Sequence, residues 1–160
     1  MVSNNKNILV LGLGSEILMD DGICPKLVKF LQKKYHDKQI KFETSSVGGL
    51  DILELIQGYQ TVILIDSIKT RNGKPGDVYF FTLSDFKETL HLSNIHDVSF
   101  LTAIKMGIEI GINIPENISI IAIEIVEDTV FGNSFTGELN EKFQEIAQSI
   151  ENFIIQFQKN

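Results

Sequence analysis

Two short, almost unbroken apolar runs, Ile8 to Leu13 and Thr61 to Ile65, and a longer Ile-rich one, Ile118 to Ile125, recur along the chain with helix-length stretches between them. Runs with no polar alternation are how strands read when both faces are covered, the situation of central strands in parallel sheets. Ile40 to Thr44 is more mixed and suits an edge strand. Helices are expected at Ile23 to Tyr35, Gly49 to Ile56, Val98 to Ile110 and Glu138 to Phe157. In the last of these Leu139, Phe143, Ile146, Ile150, Phe153 and Ile154 recur at the three- and four-residue spacing of one helical face. The link from Asp66 to Val78 carries Asn72-Gly73 and Pro75-Gly76 and has no helical period. A parallel neighbour needs a crossover helix, so Val78 to Leu83 is expected to run antiparallel to the rest. The fold class that follows is α/β: a three-layer sandwich whose mixed sheet of about five strands, one antiparallel, has helices on both faces. With 160 residues, 43% of them hydrophobic, residues 1–160 are long enough for one well-filled core and are read as one domain.

The first apolar run ends in LGLGSEILMDDG, Leu11 to Gly22. A Gly-x-Gly turn after a buried strand suggests a dinucleotide site, but that fingerprint needs a third glycine three residues on, and position 17 is Ile. No Gly-Lys-Ser or Gly-Lys-Thr cradles a phosphate either. The adjacent acids Asp20 and Asp21 would repel a pyrophosphate and attract a cation.

If the first and third strands are neighbours, their carboxyl ends bring Asp20, Asp21 and Asp66 to one rim, the edge of an open α/β sheet where ligands bind. The plainer reading is that Asp66 caps a turn and that Asp20 or Asp21 caps the following helix. His96, in LSNIHDVSFL, lies just ahead of a helix for which Ser93, Asn94 and Asp97 are candidate N-caps. There the helix dipole favours the neutral imidazole, the form that binds metal, although a surface or capping role is the alternative. His36 and His91 read as surface residues. Asp21, Asp66 and His96 together would give two carboxylates and one imidazole, a mixed set that suits a divalent transition metal better than Ca²⁺ or Mg²⁺. Three protein ligands leave the site open, and metal-assisted hydrolysis is the natural reaction class.

The net charge of -7 argues against a sequence-independent grip on nucleic acid or on an anionic membrane. No apolar run approaches the ~20 residues that span a bilayer, so no direct membrane insertion is expected. The polar opening Met1 to Asn7 lacks a signal-peptide core, and the single cysteine, Cys24, cannot form an internal disulfide. A cytoplasmic location follows, and the acidic surface favours a monomer. Cys24 reads as a small packing residue rather than a nucleophile.

GLGSEILMDDG, VGGLDILELI, VILIDSI, LSNIHDVSFL and the closing pattern from Ile123 through FTGELNEK resemble, in order and spacing, the hydrogenase maturation endopeptidases. These proteases trim the precursor of the nickel-iron hydrogenase large subunit. The resemblance covers most of the chain. It implies an aspartyl-type endopeptidase, a hydrolase that removes the C-terminal extension of the nickel-loaded large-subunit precursor after reading its nickel. The family's metal-contacting positions fall on Asp21, Asp66 and His96, with Asp21 and Asp66 as the catalytic carboxylates. The nickel comes with the substrate, and other divalent ions can substitute. The resemblance also implies that the last strand inserts between the third and fourth.

Two positions depart from the family: Ser15 stands where Asn is usual, and Cys24 where Gly is frequent. Glu16 is an extra acid beside the site, either exposed or a fourth ligand. Asp20 either orients the turn or supports a ligand from behind. Gly48-Gly49 shapes a loop on the same rim, either to receive the substrate tail or as a plain turn. Two other functions remain open on the same scaffold: a non-enzymatic nickel or small-ligand binding module, and a metallohydrolase acting on small molecules.

Overall fold

The computed structural model describes residues 7–48, 50–88 and 95–159, with side chains for all of these except 86–88, 95–99 and 159. The elements, in chain order, are β1 (Ile8–Leu13), a 3-10 turn (Met19–Gly22), α1 (Ile23–Lys34), β2 (Ile40–Ser45), α2 (Asp51–Ile56), β3 (Thr61–Ile68), β4 (Val78–Thr82), α3 (Leu83–Glu88), α4 (Ile95–Glu109), β5 (Asn117–Glu124) and α5 (Gly137–Lys159). The five strands form one sheet in the order β2-β1-β3-β5-β4, with only β4 antiparallel. Both the antiparallel strand and the insertion of β5 between β3 and β4 agree with the expectations above.

Alternation along β1 explains the layers. Ile8 and Val10 face a core filled by Ile23, Leu27 and Leu31 of α1 and Ile146, Ile150 and Ile154 of α5. Leu9, Leu11 and Leu13 face a second core built from Ile52 and Ile56 of α2 with Leu101 and Ile104 of α4. Burying each such Leu or Ile contributes roughly 1.5–3 kcal/mol, so a strand without a polar position is stable only between two helical layers.

The close approach of α1 to β1 accounts for the glycine pair. A Cβ on Gly12 would lie 2.7 Å from Val28 Cγ2 and 2.9 Å from the Cys24 carbonyl. Gly14 has φ +142, and a Cβ there would lie 2.2 Å from the Asp21 carbonyl. The Gly-x-Gly therefore serves helix packing and a tight turn. Cys24 is buried against Gly12, as a packing residue should be.

Two differences from the sequence reading bear on the site. β3 runs on to Ile68, because Asp66, Ser67 and Ile68 pair with Ala122, Ile123 and Glu124 of β5, whereas pairing with β1 stops at Gly12 opposite Ile65. Asp66 thus lies inside β3, on a segment that overhangs the end of β1. α4 begins before Val98, so His96 belongs to its first turn. The short α3 was not expected, yet Thr82 and Asp85 form a capping box: Asp85 N–H donates to Thr82 Oγ1, while Thr82 N–H and Oγ1 donate to Asp85 Oδ2. Among the described residues no helix is long and apolar enough to cross a membrane.

Candidate active site

The overhang of β3 leaves a space above the end of β1, and the turn after β1 fills it. Gly14 N–H donates to the Ser45 carbonyl at 3.0 Å, tying the start of this turn to β2. The chain then folds back through Leu18 N–H to the Ser15 carbonyl and Asp21 N–H to the Leu18 carbonyl. Asp21 points its carboxylate back under the turn, where Oδ2 accepts the Ser15 N–H at 2.7 Å and Oδ1 accepts the Ser67 hydroxyl at 2.9 Å. Ser67 is buried on β3 and its own N–H donates to Asp66 Oδ1 at 2.8 Å. One serine therefore links both carboxylates.

Asp21 and Asp66, each half-buried, line one cavity of about 190 Å³. Its other walls are the apolar Leu13, Leu18, Val47 and Ile52 and the small or polar Gly14, Ser15, Ser46 and Gly48. A second, wider hollow shares Gly14, Ser15 and Ser46 and continues past Glu16, Ile17, Pro25 and Thr44. Together they form a groove along the carboxyl rim that leads to the acid pair. Such an arrangement can hold a main chain beside two carboxylates, one of which can orient or take a proton from water.

Asp20 has a different role from its neighbour. It is fully buried, and its carboxylate accepts from Val126 N–H (3.1 Å), Glu127 N–H (3.0 Å), Thr136 N–H (2.7 Å) and Thr136 Oγ1 (2.9 Å). It staples the 126–136 loop to the turn and does not line the cavity. Glu16 forms an ion pair with Lys29 on the outer side of the turn, its side chain 39% exposed. His36 is exposed. The His96 backbone is in α4, but its side chain lies outside the described residues, as do the side chain of Asp97 and all of Gly49, His91, Ser93 and Asn94. Among the described residues no group of three His, Cys, Asp or Glu side chains could hold a metal ion. Asp21 and Asp66 meet at one cavity, while the side chain of the third expected residue, His96, lies outside the described residues.

Ser67 and the linking role of Ser15 escaped sequence reasoning. A Ser directly after a strand-end Asp carries no motif of its own, and its approach to Asp21 depends on the β1–β3 register. Beneath the site, burial pushes the Cys24 thiol well up, and the nearby Asp66 and Asp21 charges add to the effect.

Residues 25–154 match the family described as hydrogenase maturation protease, a span that begins after Asp21 and includes Asp66 and His96. No curated protein sequence gives a significant match. Among solved structures, the fold is similar to the hydrogenase maturating endopeptidase HybD from E. coli, with a TM-score of 0.74 and 16% identity over 94% of this chain and 93% of that one. It is also similar to the [NiFe] hydrogenase maturation protease HybD from Thermococcus kodakarensis, with a TM-score of 0.70 and 24% identity over 92% and 98%. A third likeness, to the HycI protease of the same organism, has a TM-score of 0.67 and 15% identity over 92% of each chain. Identities this low establish the shared fold, and the family match over most of the length establishes kinship. The chain belongs to the hydrogenase maturation protease family.

Proposed function

We propose that this protein is an endopeptidase that removes the C-terminal extension of a nickel-loaded nickel-iron hydrogenase large-subunit precursor, and that it recognises the nickel through Asp21, Asp66 and His96. The observation that carries the reading is the convergence of Asp21 and Asp66, from segments far apart in sequence, on one small cavity at the end of a groove.

The donor chemistry fits a cation carried by the substrate. Two carboxylate side chains and one imidazole form a mixed oxygen and nitrogen set suited to a divalent transition metal. Three ligands at most leave coordination positions to be filled by the precursor's own groups. An enzyme that held nickel tightly alone could not test whether its substrate was loaded. Asp21, held between the Ser15 N–H and the Ser67 hydroxyl, has the fixed orientation a recognition ligand needs. The extension lies along the groove past Gly48, and one of the two carboxylates takes the proton of the attacking water. The enzyme acts in the cytoplasm, a reading supported by its single cysteine, and as a monomer, a reading supported by its net charge of -7.

Mass spectrometry of precursor incubated with the enzyme tests this. Loss of a C-terminal fragment from nickel-loaded precursor, with the nickel-free form intact, is expected. If the loaded precursor also stays intact, the reading fails; hydrolysis of small substrates alone would point to a metallohydrolase instead.

A further inference from the structure

Four large apolar side chains are exposed on the turn after β1 and the loop after β5: Ile17 is 59% exposed, Val126 50%, Val130 49% and Phe131 76%. Single exposed apolar residues are ordinary, but several carried on adjoining loops mark an interaction surface. Ile17 belongs to the turn after β1 and the others to the loop after β5, and the two backbones meet. Gly132 N–H donates to the Ile17 carbonyl at 3.0 Å, and Leu18 and Gly132 form a parallel bridge. Gly132 suits this contact, since a Cβ there would lie 2.9 Å from Met19 Cγ. Leu18 in turn lines the cavity with Asp21 and Asp66, so the two loops meet at the wall of the site.

The loop that displays these side chains is braced at many points. Asp20 fixes Val126, Glu127 and Thr136. Glu127 Oε1 accepts from Thr129 N–H, Thr129 Oγ1 and Val130 N–H. Lys26 donates to the Asn133 carbonyl and lies over the Phe135 ring. Holding Val130 and Phe131 out in water adds no stability to the fold. It does remove the ordering cost from a later binding event.

We propose that Ile17, Val126, Val130 and Phe131 are a preorganised docking surface for an apolar patch on the folded body of the protein substrate, next to the tail that enters the groove. This rests on the proteolytic reading above. The body attached to a tail whose scissile bond reaches Asp21 and Asp66 stands over the cavity wall at Leu18, which the bridge to Gly132 joins to the loop that carries these side chains.

The test uses whole enzyme carrying Val130→Ser and Phe131→Ser together, since neither residue lines the groove. Both side chains are exposed, so the fold is retained, which thermal unfolding checks. Binding of nickel-loaded large-subunit precursor is measured by interferometry in the cold, where turnover is slow, and cleavage kinetics separately. The expected result is binding weakened by about tenfold or more, with the loss appearing in KM rather than kcat. Unchanged binding and KM in a variant that still cleaves overturns the docking surface and leaves the protease reading intact. Precursor binding that the serines abolish, with no cleavage by unmodified enzyme, supports the surface and overturns the protease reading. If the unmodified enzyme sediments as a dimer that the serines dissociate, the surface belongs to a second copy of this chain and the proposal fails.

Discussion

Ser67 donates its hydroxyl to Asp21 Oδ1 at 2.9 Å across 46 positions of sequence, and in doing so couples the turn after β1 to the overhanging end of β3. The same residue's N–H donates to Asp66 Oδ1, so one buried residue contacts both carboxylates. In Ser67→Ala the Asp66 contact persists, because it comes from the backbone, while Asp21 keeps only the Ser15 N–H. A mispositioned group costs catalysis out of proportion to stability. Precursor processing is expected to slow by about tenfold or more while unfolding free energy drops by only about 1–2 kcal/mol. Ser67→Thr, which restores the hydroxyl, should recover most of the rate; a rate unaffected by Ser67→Ala removes the serine from the site.

Adjacent acids predict opposite phenotypes. Asp20 is buried and answers four donors, so Asp20→Ala strands the amides of Val126, Glu127 and Thr136. A loss of about 3 kcal/mol or more in urea unfolding is expected. Asp21 is half-buried at the cavity wall, and Asp21→Asn should change stability by no more than about 1 kcal/mol while abolishing processing. Equal stability losses in the two variants would contradict the division of roles.

How far the sequence discloses this arrangement depends on the range of each interaction. The apolar runs at β1, β3 and β5 are legible because a strand covered on both faces has no room for polar alternation. The antiparallel β4 follows from a broken link too irregular for a crossover. The capping box at Thr82 and Asp85 is a local signal that also announces α3, although a six-residue helix offers too little periodicity to notice first. The choice between Asp20 and Asp21 is not local. The 3-10 turn points one side chain into the loop after β5 and the other toward β3, and only the tertiary partners decide which. The position of Ser67 against Asp21 likewise follows from register, since the β1–β3 pairing stops at Gly12 opposite Ile65 and leaves the next residues of β3 to the turn.

The turn's backbone makes Gly14 irreplaceable. Its φ of +142 disfavours any side chain, and a Cβ would lie 2.2 Å from the Asp21 carbonyl. Gly111 also has positive φ, +78, but nothing lies within 4 Å of its Cβ position. Gly111→Ala should cost only about 1 kcal/mol of backbone strain, and Gly14→Ala at least about 3 kcal/mol, because the clash adds to the strain. Denaturant unfolding of the pair separates conformation from contact, and equal costs would show that the turn relaxes around the new methyl group.

Glu127 provides a pH probe of the loop that carries Phe131. The Thr129 hydroxyl, then the Thr129 amide, hold its carboxyl below the ordinary glutamate value. A depressed folded-state pKa contributes stability above the unfolded value, and that contribution is lost as pH falls through the folded value. The brace is therefore intact at neutral pH and released only in acid. In an NMR titration, the Thr129 and Val130 amides should shift together with a midpoint below that of free glutamate; a midpoint at or above it would disprove the brace.

Cys24 should be chemically silent in the folded protein. Burial is the main cause of its raised pKa, and the Asp66 and Asp21 charges push in the same direction, so almost no thiolate forms at neutral pH. The thiolate is the reactive species, and the side chain has no exposed surface, α1 being packed against β1 at this point. Iodoacetamide labelling followed by mass measurement should give no adduct under native conditions and one adduct in denaturant, at a native rate set by global unfolding. Rapid native labelling would mean that α1 lifts from β1, and with it the turn that carries Asp21.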